Sequence, residues 1–133
     1  MMRVCLLIAI ASISQAFAEL VPVNELGLRI APGFEITRYA DSVIAPDVYC
    51  MTLDPSGSVV ISSRGYIKRL IDKDGDGLAD SEKMLVKSSA GAMGMLFLNH
   101  RTLLTAEGGS FNRYTDKNGD GNFDPEPFRI GKF

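Results

Sequence analysis

An acidic loop punctuated by glycine occurs twice in this chain, and its recurrence limits the architectures open to the sequence. Asp72-Lys73-Asp74-Gly75-Asp76-Gly77-Leu78-Ala79-Asp80-Ser81-Glu82 carries acidic side chains at positions 1, 3, 5, 9 and 11, with glycine at 4 and 6. The pattern returns 44 residues later as Asp116-Lys117-Asn118-Gly119-Asp120-Gly121-Asn122-Phe123-Asp124-Pro125-Glu126. Oxygen donors at alternate positions, with glycine at 6 for the sharp turn, are what the six-to-eight-oxygen shell of Ca²⁺ requires. The candidate ligands are Asp72, Asp74, Asp76, Leu78 through its carbonyl, Asp80 and Glu82 in the first loop. In the second they are Asp116, Asn118, Asp120, Asn122 through its carbonyl, Asp124 and Glu126.

These are not helix–loop–helix sites. Position 12, where a bidentate glutamate is expected, is Lys83 in one loop and Pro127 in the other. Glu82 and Glu126 at position 11 are the expected substitutes, and Asn118 in place of an aspartate predicts weaker affinity in the second loop. The plain alternative is an ion-free hairpin turn, because Asp, Asn and Gly all favour turns. Turn chemistry alone does not demand acids at alternate positions.

Laid against itself without a gap, residues 45–88 over 89–132, the chain shows ten identical pairs. Eight of them fall between Arg69 and Glu82, so the stronger evidence is matched character elsewhere. Leu53 falls on Phe97, Val59 on Leu103, Ile67 on Phe111 and Val86 on Ile130. Each half then reads as four short strands. In the first they are Val48–Leu53, Val59–Ser63, Tyr66–Ile71 and Lys83–Lys87. In the second they are Ala92–Phe97, Leu103–Ala106, Ser110–Thr115 and Pro127–Gly131.

Four strands in 44 residues is the unit of a β-propeller blade. The expected fold class is therefore all-β, a partial β-propeller of about two four-stranded blades, 45–88 and 89–133. An extended lead-in, 19–44, should precede them, with a strand over Phe34–Ala40. Two blades do not close a propeller, so the pattern predicts a truncated frame or a fragment of a longer one.

Residues 1–18 read as a signal peptide. Arg3 supplies the basic n-region, Val4–Ile13 an apolar core too short to span a bilayer, and Ala16-Phe17-Ala18 the small residues of a cleavage site. The expected destination is periplasmic or extracellular. Cleavage would remove Cys5 and leave Cys50 as the single thiol, so no internal disulfide is expected and metal becomes a natural source of stability. Cys50 lies in the apolar run Val48-Tyr49-Cys50-Met51 and reads as an inert thiol.

Charge gives no case for a nucleic-acid partner. The net charge is −2, and the two loops hold nine of the 16 acidic residues, which leaves the remainder only mildly basic. No catalytic group is expected. The single His100 is placed at a hairpin tip without a partner, and Arg69 and Arg113, just before each loop, are expected to pair with loop carboxylates. No CxxCH, phosphate-binding glycine motif or nucleophile elbow occurs.

Pro32-Gly33-Phe34-Glu35-Ile36, Met51-Thr52-Leu53-Asp54-Pro55-Ser56-Gly57 and the first Asp-rich loop together resemble the N-terminal propeller of the bacterial membrane-bound dehydrogenase domain family. That family is similar in turn to the soluble PQQ-type glucose/sorbosone dehydrogenases. The resemblance covers about residues 28 to 133. It implies an origin among sugar or alcohol oxidoreductases, structural calcium at the loop positions, and PQQ only in a full-length relative. The partners it leaves open are the remaining propeller blades, a second copy through an open blade edge, or, as a non-enzymatic scaffold, another protein.

Overall fold

The structure, a computed structural model, describes residues 19–133, so the signal-peptide reading of 1–18, with Cys5, lies outside the described residues. The chain divides into two compact units, one ending at Ile36 and one spanning Thr37–Phe133. In the first unit β1 (Val21–Val23) and β2 (Leu28–Ile30) pair antiparallel around a 3-10 turn at Asn24–Leu26. Gly27, at φ 64°, closes that turn.

The second unit holds two four-stranded antiparallel sheets, and the described chain is all-β apart from the 3-10 turn. β3 (Cys50–Leu53), β4 (Val59–Ser63), β5 (Tyr66–Ile71) and β6 (Ser81–Val86) pair in sequence order. So do β7 (Ala92–Asn99), β8 (Thr102–Glu107), β9 (Ser110–Thr115) and β10 (Phe128–Lys132). Turn chemistry explains these meanders. Asp54 accepts from the Ser56 and Ser58 N–H groups, and the Gly57 N–H closes on the Asp54 carbonyl at 2.9 Å, which reverses the chain between β3 and β4.

Alternation along the strands decides what each sheet buries. Cross-strand partners put Cys50, Ser62 and Ile67 in one row and Thr52 and Val60 in the next, all on one face of the first sheet. That face meets the second sheet in a core of Val60, Ile67, Leu85 and Val86 against Ala92, Leu103 and Tyr114, closed by Phe123 from the second Asp loop. Ile67, Val60 and Leu103 are fully enclosed there, and each such side chain contributes roughly 1.5 to 3 kcal/mol relative to exposure. The opposite face of the first sheet buries Ile61 and Leu70, with Ala79, under Tyr39, Ala40, Ile44 and Ala45.

The sheets approach closely enough to restrict side-chain size. A Cβ on Gly91, which has φ +73°, would sit 2.7 Å from the Ser63 carbonyl carbon. The Ala92 N–H donates to Ser62 Oγ at 2.7 Å, and the Cys50 thiol donates to the Ala92 carbonyl at 3.1 Å.

Three of the eight expected strands of this unit have their observed limits, and the other five differ at one or both ends by one or two residues. The strand expected over Phe34–Ala40 does not form. Phe34 and Ile36 are exposed, and the segment lacks a ladder partner among the described residues. Instead Tyr39 accepts one bond, from the Ala79 N–H at 2.7 Å, and packs as a strap over the first sheet.

Candidate metal centre

Each Asp-rich loop joins the third strand of a sheet to the fourth, β5 to β6 and β9 to β10. The first residue of each loop organises the turn. Asp72 accepts the Gly75 N–H on Oδ1 at 2.7 Å and the Gly77 N–H on Oδ2 at 3.0 Å. Asp116 does the same with Gly119 at 2.6 Å and Gly121 at 3.0 Å. Gly77 and Gly121 sit at φ 86° and 80°, a left-handed conformation that side chains with a Cβ resist.

The fold of the first loop converges three carboxylates. Oxygen atoms of Asp72, Asp74 and Asp80 all lie within 4.8 Å of one another. At surface dielectrics like charges at that separation repel by roughly 1 to 4 kcal/mol per pair. A hard divalent cation relieves that repulsion, and the all-oxygen donor set suits Ca²⁺. Asp80 reaches the group because its own N–H donates back to the Ile71 carbonyl at 2.9 Å while its Oδ2 accepts from the Lys73 N–H at 2.7 Å.

The remaining candidates are placed differently. Asp76 accepts from the Leu78 N–H at 2.8 Å, and the Leu78 residue is half exposed. Glu82 stands on β6, where its carboxylate pairs with the buried Lys68 ammonium across the sheet. In the second loop Asn118 occupies the position of Asp74, accepts from the Asp120 N–H at 3.2 Å and donates to Asp120 Oδ2 at 2.9 Å. Asp120 also accepts from the Asn122 N–H at 2.8 Å. The Asn118 amide first, and then the Asn122 N–H, hold its carboxyl below the usual aspartate range. Asp124 Oδ2 lies 3.3 Å from Lys117 Nζ. Glu126 is exposed beyond the turn.

The arginines do not meet the loops as expected. Arg69 Nε pairs at 2.6 Å with Asp54 Oδ2, in the β3–β4 turn, and the guanidinium of Arg113 lies 4.9 Å from the centre of the Phe128 ring. Strand order accounts for this: the β3–β4 turn and the Asp loop share one end of the sheet, and Arg69, opposite Val60 on β4, reaches across that strand to Asp54 instead of turning to the loop. Burial raises the Asp54 pKa, but bonds from Ser56 Oγ and the Ser58 and Ser56 N–H groups, with the Arg69 charge, outweigh it and hold Asp54 below the ordinary value.

Two features escaped the sequence reading. Lys83, at the position where a sensor loop carries glutamate, donates to the Gly121 carbonyl of the other loop at 3.0 Å. Glu107 is buried, and its carboxylate accepts from Thr105 Oγ1 at 2.9 Å, Asn112 Nδ2 at 3.3 Å, Tyr114 OH at 2.7 Å and Ser88 Oγ. Three of these donors meet Oε1 and one meets Oε2, so Glu107 serves as a structural hub beside a polar cavity of about 280 Å³. Burial, and then the neighbouring Glu107, push the Tyr114 hydroxyl pKa upward. Only the alternation of Thr105 and Glu107, and of Asn112 and Tyr114, hinted at a shared polar row.

His100 is exposed in the turn between β7 and β8. Burial raises the Cys50 pKa, which keeps the thiol protonated. No helix among the described residues is long and apolar enough to cross a membrane.

No family model matches the chain, and no curated protein matches it. Among solved structures, the chain is similar to a Trichoderma reesei Carbohydrate-Active Enzyme of family AA12, in its iodide structure, with a TM-score of 0.52 and 17% sequence identity. The match covers 62% of this chain and 22% of that one, so the chain spans less than a quarter of that protein's length. At this identity the likeness concerns the fold alone.

Proposed function

We propose that the chain is an exported, calcium-binding segment of a β-propeller, related to the sugar and alcohol oxidoreductases, in which the ions are structural. The observation that carries this reading is the meeting of Asp72, Asp74 and Asp80 within 4.8 Å, on the turn that links the third and fourth strands of a four-stranded antiparallel sheet. A second sheet with the same strand order and the same loop, 44 residues on, supports reading each as one blade. The fold likeness to a carbohydrate-active enzyme supports the oxidoreductase-related origin.

Asp72, Asp74 and Asp80 would hold the ion in the first loop, and Asp116, Asn118 and Asp124 occupy the same places in the second. Bound calcium supplies positive charge that neutralises the carboxylates and clamps β5 to β6. The chain's own residues shape the turn, since Asp72 and Asp116 each gather two glycine N–H groups. Catalysis, with PQQ as cofactor, belongs in this reading to a full-length relative.

The test is thermal unfolding with calcium and with EDTA. Calcium at about 100 times its Kd adds about 2.7 kcal/mol, which in a unit this size raises Tm by on the order of 10 °C. Superimposable melts under the two conditions overturn the proposal.

A further inference from the structure

The two sheets of the second unit stack in a directional way, and the same residues define an unfilled partner surface. On the first sheet, Thr52, Val60, Ser62 and Ile67 face the second sheet. Forty-four residues on, their counterparts are Leu96, Leu104, Ala106 and Phe111. Cross-strand pairing puts Leu96 with Leu104 and Ala106 with Phe111 on the face of the second sheet that points away from the first. That face is an apolar groove of about 440 Å³, lined by these side chains with Gly94 and Ile130. Leu96 is 56% exposed, Phe111 49% and Ile130 55%, a contiguous patch rather than scattered residues.

The complementary half of such a contact is also in the chain. Met95, Phe97, Leu103 and Tyr114 are the residues with which the second sheet covers the first. Their counterparts 44 residues earlier are Met51, Leu53, Val59 and Leu70, on the outer face of the first sheet. The Tyr39–Ala45 strap packs against Val59 and Leu70 but leaves β3 uncovered, with Met51 64% and Leu53 57% exposed. Inside the chain, β3 and β7 are the strands through which the sheets meet most closely.

We propose that the open face of β7–β10 docks the Met51 and Leu53 face of a second copy of this chain, head to tail, with β7 of one copy against β3 of the next. The occupant is a second copy because Met51 and Leu53, the exposed part of the equivalent surface, belong to this chain itself. Groove and counterpart lie on opposite sides of the second unit, so the contact is heterologous and propagates into a ring or an open chain of copies. The inference deepens the reading of the two sheets as equivalent blades and rests on that equivalence, but it does not rest on calcium.

The test is the mass of the full chain in calcium, by light scattering across a hundredfold range of concentration. The chain should grow from one to at least three chain masses. Leu96→Asp in the groove and the double variant Met51→Asp, Leu53→Asp should each remain monomeric, and an equimolar mixture of the two should stop at a dimer. These substitutions are at exposed positions, and circular dichroism verifies that both variants are folded. A wild-type chain that stays monomeric throughout overturns the docking. So does a groove variant that blocks assembly while the Met51, Leu53 variant assembles normally, since that is the signature of a two-fold contact. The calcium reading fails separately: a melt unaffected by EDTA in a chain that still assembles removes the ion and leaves the docking in place.

Discussion

Lys83 Nζ donates to the Gly121 carbonyl at 3.0 Å, so the residue that follows the first Asp-rich loop, on β6, is tied to the second one. The bond joins β6 of one sheet to the turn that follows β9 of the other. It also places a cation near Asp120, the last of the influences that keep that carboxyl low. The two loops are therefore linked mechanically as well as by likeness.

Replacing Lys83 with methionine keeps the aliphatic stem and removes the donor. The expected cost is about 1 kcal/mol, the usual worth of such a bond at a partly exposed site. Urea unfolding measures it, and an unchanged midpoint would show that the link is ornamental.

Asp72 and Asp74 separate two contributions of the first loop. Asp72→Ala removes the acceptor for the Gly75 and Gly77 N–H groups and should cost about 2 kcal/mol even in EDTA. Asp74→Asn keeps an oxygen for the Asp76 N–H, which lies at 3.3 Å. It should raise the EDTA melt slightly, by relieving repulsion with Asp72 and Asp80, while shrinking the calcium-induced rise in Tm by half or more. Equal losses by both variants in EDTA would contradict this division.

The Asp54–Arg69 pair predicts an acid-sensitive step. Asp54 is held below its ordinary value of 3.8 in the folded chain. A group with a depressed folded pKa contributes stability that is fully present above the unfolded value and is lost as pH falls through the folded one. The urea midpoint should therefore drop between about pH 5 and the low folded pKa, and Asp54→Asn should flatten part of that drop. At pH 7, Asp54→Ala should cost about 3 kcal/mol, because it strands Arg69 beside a dismantled turn.

Gly91→Ala probes the approach of the two sheets. The new methyl would meet the Ser63 backbone at 2.7 Å, and backbone cannot give way as the end of a side chain can. With the left-handed φ of +73° added, the expected loss is about 3 kcal/mol. Gly57→Ala shares the positive φ but meets nothing within 4 Å, so it should cost about 1 kcal/mol. Equal losses would place the whole effect in backbone conformation.

Strand identity was readable because alternation and turn residues are local signals. Val59–Ser63, Tyr66–Ile71 and Ser110–Thr115 have the limits their sequences imply. Phe34–Ala40 shows where the signal stops: it has β-forming residues but finds no ladder, and propensity without a partner leaves irregular chain of which only the Tyr39–Ala40 end packs on the first sheet. The arginines fail for a related reason, since adjacency in sequence to the loops says nothing about which turn a strand carries them to.

The amino-acid sequence alone determined the all-β class, the four-strand pattern and the two Asp–Gly turns, because period-two alternation and glycine at positive φ act within a few residues. Only the tertiary structure decided that Asp72, Asp74 and Asp80 converge while Glu82 pairs with Lys68. Only it, too, brought Lys83 to Gly121 and built the Glu107 hub. Those outcomes depend on which face and which end of a sheet each residue reaches. Loop closure, the register between neighbouring strands and the stacking of the sheets set that, and none of them is written in the alternation of a single strand.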